Sequence, residues 1–290
     1  MGERILGVIG GTRLYELPGL RDVETVRVTT PFGEPSDALV RGRTGDVQVL
    51  FLPRHGRGHR IPPSEIPYRA NVFAMKQLGA EWLFSVGAVG SLRQELEPGH
   101  VVVPDQFIDR TVARPSTFFG DGIVVHVSMA DPVCADLTGV VDAAARAAGA
   151  TVHRGGTYLC MEGPQFSTRA ESHMYRQWGA DVIGMTNWQE AKLAREAELC
   201  FASLALVTDY DCWNVGHDHV VIADVLRILD ANAALARATV AAVAAGLPAA
   251  RACACTAALE HAIITDPAQI PAARRRALQP LIGKYIGEPA

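Results

Sequence analysis

The run from Phe201 to Val207 is apolar at every position but Ser203, which suits a strand buried on both faces in a largely parallel sheet. It stops abruptly at Thr208-Asp209-Tyr210-Asp211-Cys212-Trp213. Carboxylates at the C-terminal end of such a strand lie where open α/β sheets hold their ligands. Burying a carboxylate is costly unless it binds something or shifts its pKa. Asp209 and Asp211 are therefore candidate ligand-binding residues. The plainer reading is a helix cap or a solvated strand end. As a metal site the pair is poor, because no third acidic ligand stands nearby.

Other strand-like runs are Ile5–Ile9, Val47–Leu52, Trp82–Val86, His100–Val103, Thr157–Cys160 and Asp181–Gly184. Helical patterns fall at Asn71–Leu78, Ala135–Ala148, Arg169–Trp178, Gln189–Glu198 and Ala223–Gly246, with a last short helix at Ala273–Ile286. This alternation predicts an α/β fold, a twisted mixed central sheet flanked by helices. With no repeat, linker or low-complexity tract, residues 1–290 read as a single domain whose C-terminal end, about 252–290, is helical. Three long connections (Thr29–Ala38, Arg54–Pro67 and Ile108–Gly122) are where function is expected.

A net charge of −4 on 290 residues lacks the basic excess of a nucleic-acid binder. The apolar stretch Val225–Gly246 carries Arg227, Asp230 and Arg237, so it reads as an amphipathic helix and not a membrane span. Met1 leads almost directly into a strand without a signal-peptide pattern, and the expected compartment is the cytoplasm. The six cysteines then read mainly as small buried hydrophobes. Cys253-Ala254-Cys255 is too closely spaced for an ordinary structural zinc pair and lacks a second pair. Plain packing is the expectation there, with a redox-active or strained disulfide as the alternative.

Three further strand ends carry possible anion-binding groups. Gly10-Gly11-Thr12 offers backbone N–H groups and a hydroxyl, without the spacing of a dinucleotide or P-loop motif; a tight structural turn is the simpler reading. Arg54-His55-Gly56 offers a guanidinium fork and an imidazole donor, against a solvated basic loop. His55 and His59 sit four apart in a glycine-rich, non-helical context, which disfavours a metal pair. Gly87-Ala88-Val89-Gly90-Ser91 leaves room for a ligand beside its amides.

These segments, together with Thr30-Pro31-Phe32-Gly33, Tyr68-Arg69-Ala70-Asn71, the stretch Glu162-Gly163-Pro164-Gln165-Phe166-Ser167-Thr168-Arg169-Ala170-Glu171 and Gly184-Met185-Thr186, resemble the trimeric purine nucleoside phosphorylases. Within that family the match is to the S-methyl-5'-thioadenosine phosphorylase branch, from about Ile5 to Gly246. The resemblance implies phosphorolysis of S-methyl-5'-thioadenosine to adenine and 5-methylthioribose 1-phosphate. It implies no cofactor and no metal, inorganic phosphate being a co-substrate, and a homotrimer or dimer of trimers. Thr12, Arg54, His55, Gly87, Ala88 and Thr186 would bind phosphate. Met185 would underlie the ribose, with Phe166 and Ser167 flanking the base. Asp209 would protonate N7 and Asp211 would meet the exocyclic amino group. Ile222, Val225 and Leu226 would line the 5' pocket, and His126 would reach in from a neighbouring subunit. A carboxylate accepts from a 6-amino group and cannot pair with a 6-oxo group, which implies adenine over hypoxanthine at a mismatch cost of roughly 1–3 kcal/mol.

The chain departs from the family pattern at Arg13, Gly87, Trp188-Gln189 and Pro67. Those departures bear on substrate range, leaving open another 5'-modified adenosine or a 6-oxopurine nucleoside. Arg13 and Gly87 are the only support for a different class of protein, a nucleoside binder without turnover.

Overall fold

The computed structural model describes residues 3–11, 17, 19–214 and 222–287, and for 222–227, 229 and 231 the backbone alone. The chain opens with β1 (Arg4–Gly10), β2 (Arg21–Val26), β3 (Leu39–Thr44) and β4 (Val47–Pro53). Then come α1 (Tyr68–Gln77), β5 (Trp82–Ser91), β6 (Val101–Val103), β7 (Gln106–Arg110) and α2 (Ala135–Ala147). The second half runs β8 (Val152–Arg154), β9 (Thr157–Met161), α3 (Arg169–Gln177), β10 (Val182–Gly184), α4 (Asn187–Glu196), β11 (Cys200–Asp209) and α5 (Ile222–Gly246). The last helices are α6 (Ala272–Ala277) and α7 (Gln279–Ile286).

All eleven strands join one mixed sheet, with a path β2-β3-β4-β1-β5-β10-β9-β7. β5 is the fork. Its first half pairs in parallel with β1, its whole length runs parallel to β11, and its last residues turn antiparallel to β10. β11 in turn carries β6, and β6 carries β8. The sheet therefore splits just past Gly87, and the split leaves a hollow at the C-terminal ends of β1, β5 and β11.

The faces follow from the side-chain alternation of a strand. Leu6 and Val8 of β1 pack in one apolar cluster with Leu137 and Val141 of α2 and Val240 and Val243 of α5. Ile9 points the other way, into a cluster with Val72 and Phe73 of α1 and Leu193 of α4. The predicted α/β sandwich of helices on both sheet faces is what forms. The run Phe201–Val207 is buried throughout, as its composition required. Among the described residues, no helix is long and apolar enough to cross a membrane.

The predicted helix Ala273–Ile286 divides into α6 and α7 at Leu278-Gln279-Pro280, where proline takes an early helical position. Within the expected loop Ile108–Gly122, β7 extends to Arg110 because it finds a parallel partner in β9. The reading of Cys253-Ala254-Cys255 as lacking a second pair needs correction. Cys134 stands just before α2, where its N–H donates to the Phe201 carbonyl (2.8 Å), and Cys200 opens β11. The sulfurs of Cys134, Cys200, Cys253 and Cys255 all lie within 4.8 Å of one another, so folding supplies the pair that spacing could not show.

Candidate functional site

The hollow at the fork is a cavity of about 440 Å³. One wall is made by the strand end Gly87-Ala88-Val89-Gly90, another by Ile183-Gly184-Met185-Thr186, and Asp209 and Asp211 stand at the end of β11. Arg54 and His55 line it from the end of β4, and Phe166 reaches it from the loop after β9. The structure thus brings together nine of the candidate residues: Arg54, His55, Gly87, Ala88, Phe166, Met185, Thr186, Asp209 and Asp211. Ser167 is the neighbour of this set, half-buried, with its carbonyl accepting from the Cys212 thiol (3.2 Å). Thr12 and Arg13 lie outside the described residues, as do the side chains of Ile222, Val225 and Leu226. His126 is exposed and takes no part in this chain's cavity; its backbone N–H is tied to the Ala262 carbonyl.

Arg54 is 1 % exposed, and its guanidinium is largely engaged by the protein itself. Nε donates to Glu190 Oε1 (2.7 Å), Nη2 to Ser85 Oγ (2.7 Å), Ile9 O (3.1 Å) and Glu190 Oε2 (3.3 Å), and Nη1 to Val86 O (2.9 Å). Of the five guanidinium hydrogens, one on Nη1 is left over. Gly11 and Gly87 make room for it: a Cβ on Gly11 would lie 2.9 Å from Nη1, and one on Gly87 3.3 Å. Arg54 therefore presents a single donor to the cavity, where the sequence suggested a whole fork. Glu190, which makes this arrangement, was not among the sequence candidates. The sequence carried no clear signal for it, because the helix Asn187–Glu196 is mostly polar and its burial appears only in the structure, where an unpaired carboxylate would be prohibitive.

His55 also differs from expectation. Nδ1 lies 2.8 Å from the Ile61 carbonyl, and a carbonyl only accepts, so Nδ1 carries the hydrogen. Burial, with the Arg54 charge adding to it, pushes the imidazolium pKa down to about 4. At neutral pH the free Nε2 is therefore an acceptor and not the donor suggested by sequence. It suits a protonated oxygen of an anion. The ring of His59 stacks on it at 4.2 Å.

Asp209 occupies a local irregularity of β11 opposite Gly90, where the register with β5 shifts. A Cβ on Gly90 would sit 3.0 Å from Asp209 Oδ1, so glycine there admits the carboxyl. Oδ1 accepts from the Asp211 N–H (2.8 Å), and Oδ2 lies 2.8 Å from Thr208 Oγ1. That hydroxyl also lies 3.2 Å from Val89 O. It has one hydrogen for two acceptors, and a protonated Asp209 resolves the conflict by donating to it while it donates to Val89 O. Burial raises the Asp209 pKa, against the hydrogen bonds from Thr208 and Asp211. Burial also raises that of Asp211, helped by the charge of Asp209, and Asp211 Oδ2 is buried with no hydrogen-bond partner among the described residues. Two carboxyls biased towards protonation thus face the cavity.

Arg114 was missed as well, hidden in an irregular loop. Fully buried, it donates to the Met161, Glu162 and Met185 carbonyls, to Gln189 Oε1 (3.1 Å) and to Tyr68 Oη (3.1 Å), and it pairs with Glu162 (3.2 Å). It holds the segment carrying Phe166 against the segment carrying Met185. Phe166 itself is 51 % exposed at the cavity mouth, a large apolar surface with nothing over it among the described residues.

A family model described as the phosphorylase superfamily matches residues 5–247. This chain belongs to that superfamily. It is 56 % identical to the S-methyl-5'-thioadenosine phosphorylase of Geobacter sulfurreducens, over 98 % of this chain and 100 % of the relative. A methylthioadenosine phosphorylase from an antarctic soil metagenomic library superposes with a TM-score of 0.86 at 46 % identity, covering 97 % of this chain and 99 % of that one. The Schistosoma mansoni methylthioadenosine phosphorylase in complex with adenine gives a TM-score of 0.86 at 38 % identity, covering 90 % of this chain and 99 % of that one. The nucleoside phosphorylase fold inferred from the motifs is the fold of these neighbours.

Replacing Glu190 by Ala strands the buried Arg54 charge. Urea unfolding should show a loss of about 3–5 kcal/mol, and the double variant Arg54→Met/Glu190→Leu should regain part of it. A Glu190→Ala protein as stable as the parent contradicts the pairing. His55 has a depressed folded pKa, so the unfolded chain binds protons more readily and stability should fall as pH drops from 6.5 towards about 4. His55→Asn, which keeps a donor for Ile61 O and cannot titrate, should flatten that part of the stability–pH curve. An unchanged slope overturns the assignment.

Proposed function

We propose that this chain cleaves S-methyl-5'-thioadenosine with inorganic phosphate, giving adenine and 5-methylthioribose 1-phosphate. The observation that carries the reading is the polarity of the cavity. Two carboxyls with raised pKa stand at the end of β11, and the remaining Arg54 hydrogen lies beside the small strand end at Gly87. An aminopurine suits the first end and an oxyanion the second.

Phosphate sits between Arg54 Nη1, the backbone at Gly87 and Ala88, and Thr186 at the start of α4, with Thr12 completing the set. Thr186 makes no capping hydrogen bond of its own, and the first N–H groups of α4 favour an anion. His55 Nε2 accepts the hydrogen of monohydrogen phosphate. A phosphate oxygen then attacks C1' as the C1'–N9 bond breaks, through an oxocarbenium-like transition state that the anion stabilises. The bonding electrons move into the purine ring. Asp209 delivers its proton to N7 and recovers one from solvent. Asp211 accepts from the 6-amino group, Met185 underlies the ribose, and Phe166 with Ser167 flanks the base. The family resemblance assigns Ile222, Val225 and Leu226 to the 5'-substituent, and an apolar pocket there suits a methylthio group because a buried hydroxyl would lack partners. The exposed Phe166 and the exposed His126, which does not line its own chain's cavity, support a trimer in which His126 serves the neighbouring site.

Adenine should be released from methylthioadenosine only when phosphate or arsenate is present. Binding of the nucleoside without release would show a protein that has lost turnover. Asp209→Ala should lower kcat by about 10²–10⁴-fold. Asp209→Asn should move kcat/KM towards inosine-type substrates, and unchanged selectivity removes the basis for choosing an aminopurine.

A further inference from the structure

At the end of the sheet opposite the cavity, four thiols converge for which phosphorolysis has no use. Cys134 precedes α2, Cys200 begins β11, and Cys253 and Cys255 flank the start of a short turn of helix at residues 254–257. Cys134, Cys200 and Cys255 are buried at 2 %, 1 % and 5 % exposure, and Cys253 is half-buried. Their ligand atoms lie mutually within 4.8 Å, with Cys200 Sγ and Cys253 Sγ 3.2 Å apart. We propose that these four cysteines form a tetrathiolate site for a soft divalent metal ion, zinc in the first place.

The geometry is that of a coordination shell. Four sulfurs at the zinc–sulfur distance of about 2.3 Å in tetrahedral array stand about 3.8 Å from one another. A cluster in which every sulfur is within 4.8 Å of every other needs only small adjustments to reach that arrangement. Two disulfides would also use all four sulfurs, but they would not require every sulfur to lie within 4.8 Å of every other. The remaining cysteines are elsewhere: Cys160 is buried beside Gln189, and Cys212 donates to the Ser167 carbonyl. Four of six thiols are therefore selected, from three separate parts of the chain.

A divalent ion with four thiolates carries two net negative charges, which a buried site must offset. Arg195 provides a cation there, with Nη1 3.9 Å from Cys255 Sγ, and its Nε is buried with no hydrogen-bond partner among the described residues. Cys134 stands where the unpaired N–H groups of the first turn of α2 favour a thiolate. The ion would join the first residue of β11 and the start of α2 to the segment that leads into the C-terminal helices. Cys200 and Asp209 stand at opposite ends of the ten-residue β11, roughly 30 Å of strand, so the ion's role is to hold the fold and not to act on substrate.

The test uses the full chain purified under reducing conditions without chelator. Elemental analysis should find about one zinc or iron per chain, and all six cysteines should react with a thiol reagent once the protein is unfolded with chelator. Cobalt exchanged into the protein should show thiolate charge-transfer bands and the intense visible bands of a tetrahedral ion. Cys134→Ser and Cys253→Ser should abolish both signals and lower Tm, whereas Cys212→Ser should retain the metal. Metal-free protein with four thiols missing means two disulfides and overturns the proposal. Metal-free protein with six free thiols and no cobalt spectrum overturns it equally. If the serine variants do not fold, the metal content and cobalt spectrum of the unaltered chain decide.

Discussion

The pairing of Arg54 with Glu190 underlies the rest of the site. The guanidinium ties together the end of β1, the middle of β5 with the hydroxyl of Ser85, and the first turn of α4, all within a region closed to water. Ser85 Oγ in turn donates to Glu190 Oε2 (2.5 Å) and accepts from Asn187 Nδ2 (3.0 Å). An ion pair so deeply buried contributes little net stability by itself, because desolvation opposes the attraction. What it does is fix geometry. Each partner would be a stranded charge without the other, so the strand ends and helix cannot drift apart cheaply, and one hydrogen remains aimed into the hollow.

Much of the fold was legible because strands buried on both faces read as near-continuous apolar runs. Val47–Leu52, Trp82–Val86 and Phe201–Val207 have few polar positions and lie in β4, β5 and β11. β2 and β3 escaped notice for the opposite reason. Residues Arg21 to Val26 form an exposed edge strand whose polar side chains serve solubility and leave no alternation to read. β7 and β8 are short and depend on partners far away in sequence. The site divides in the same way. Residues at strand ends were identifiable by type and place. The state of each one depended on contacts that spacing cannot encode, such as the Ile61 carbonyl that sets the tautomer of His55 and the carboxylate that occupies Arg54.

The four-cysteine cluster illustrates the same limit. Cys253 and Cys255 alone offered only a local pattern, and no counting rule links them to Cys134 and Cys200. The link is made by the hydrogen bond from Cys134 to Phe201 and by the docking of the C-terminal segment, where Arg251 donates to the Glu198 carbonyl (2.7 Å). The sheet thus has two working ends. One holds the cavity at the C-terminal ends of its strands, where open α/β sheets bind their ligands. The other gathers the chain's distant parts.

The most direct measurement of the central claim is a crystal structure of this protein grown with adenine and phosphate. The account places the purine with N7 within hydrogen-bonding distance of Asp209 and its amino group at Asp211, and places phosphate between Arg54 Nη1, Gly87 and Thr186. A base lodged away from Asp209, or an anion that makes no contact with Arg54, would contradict it.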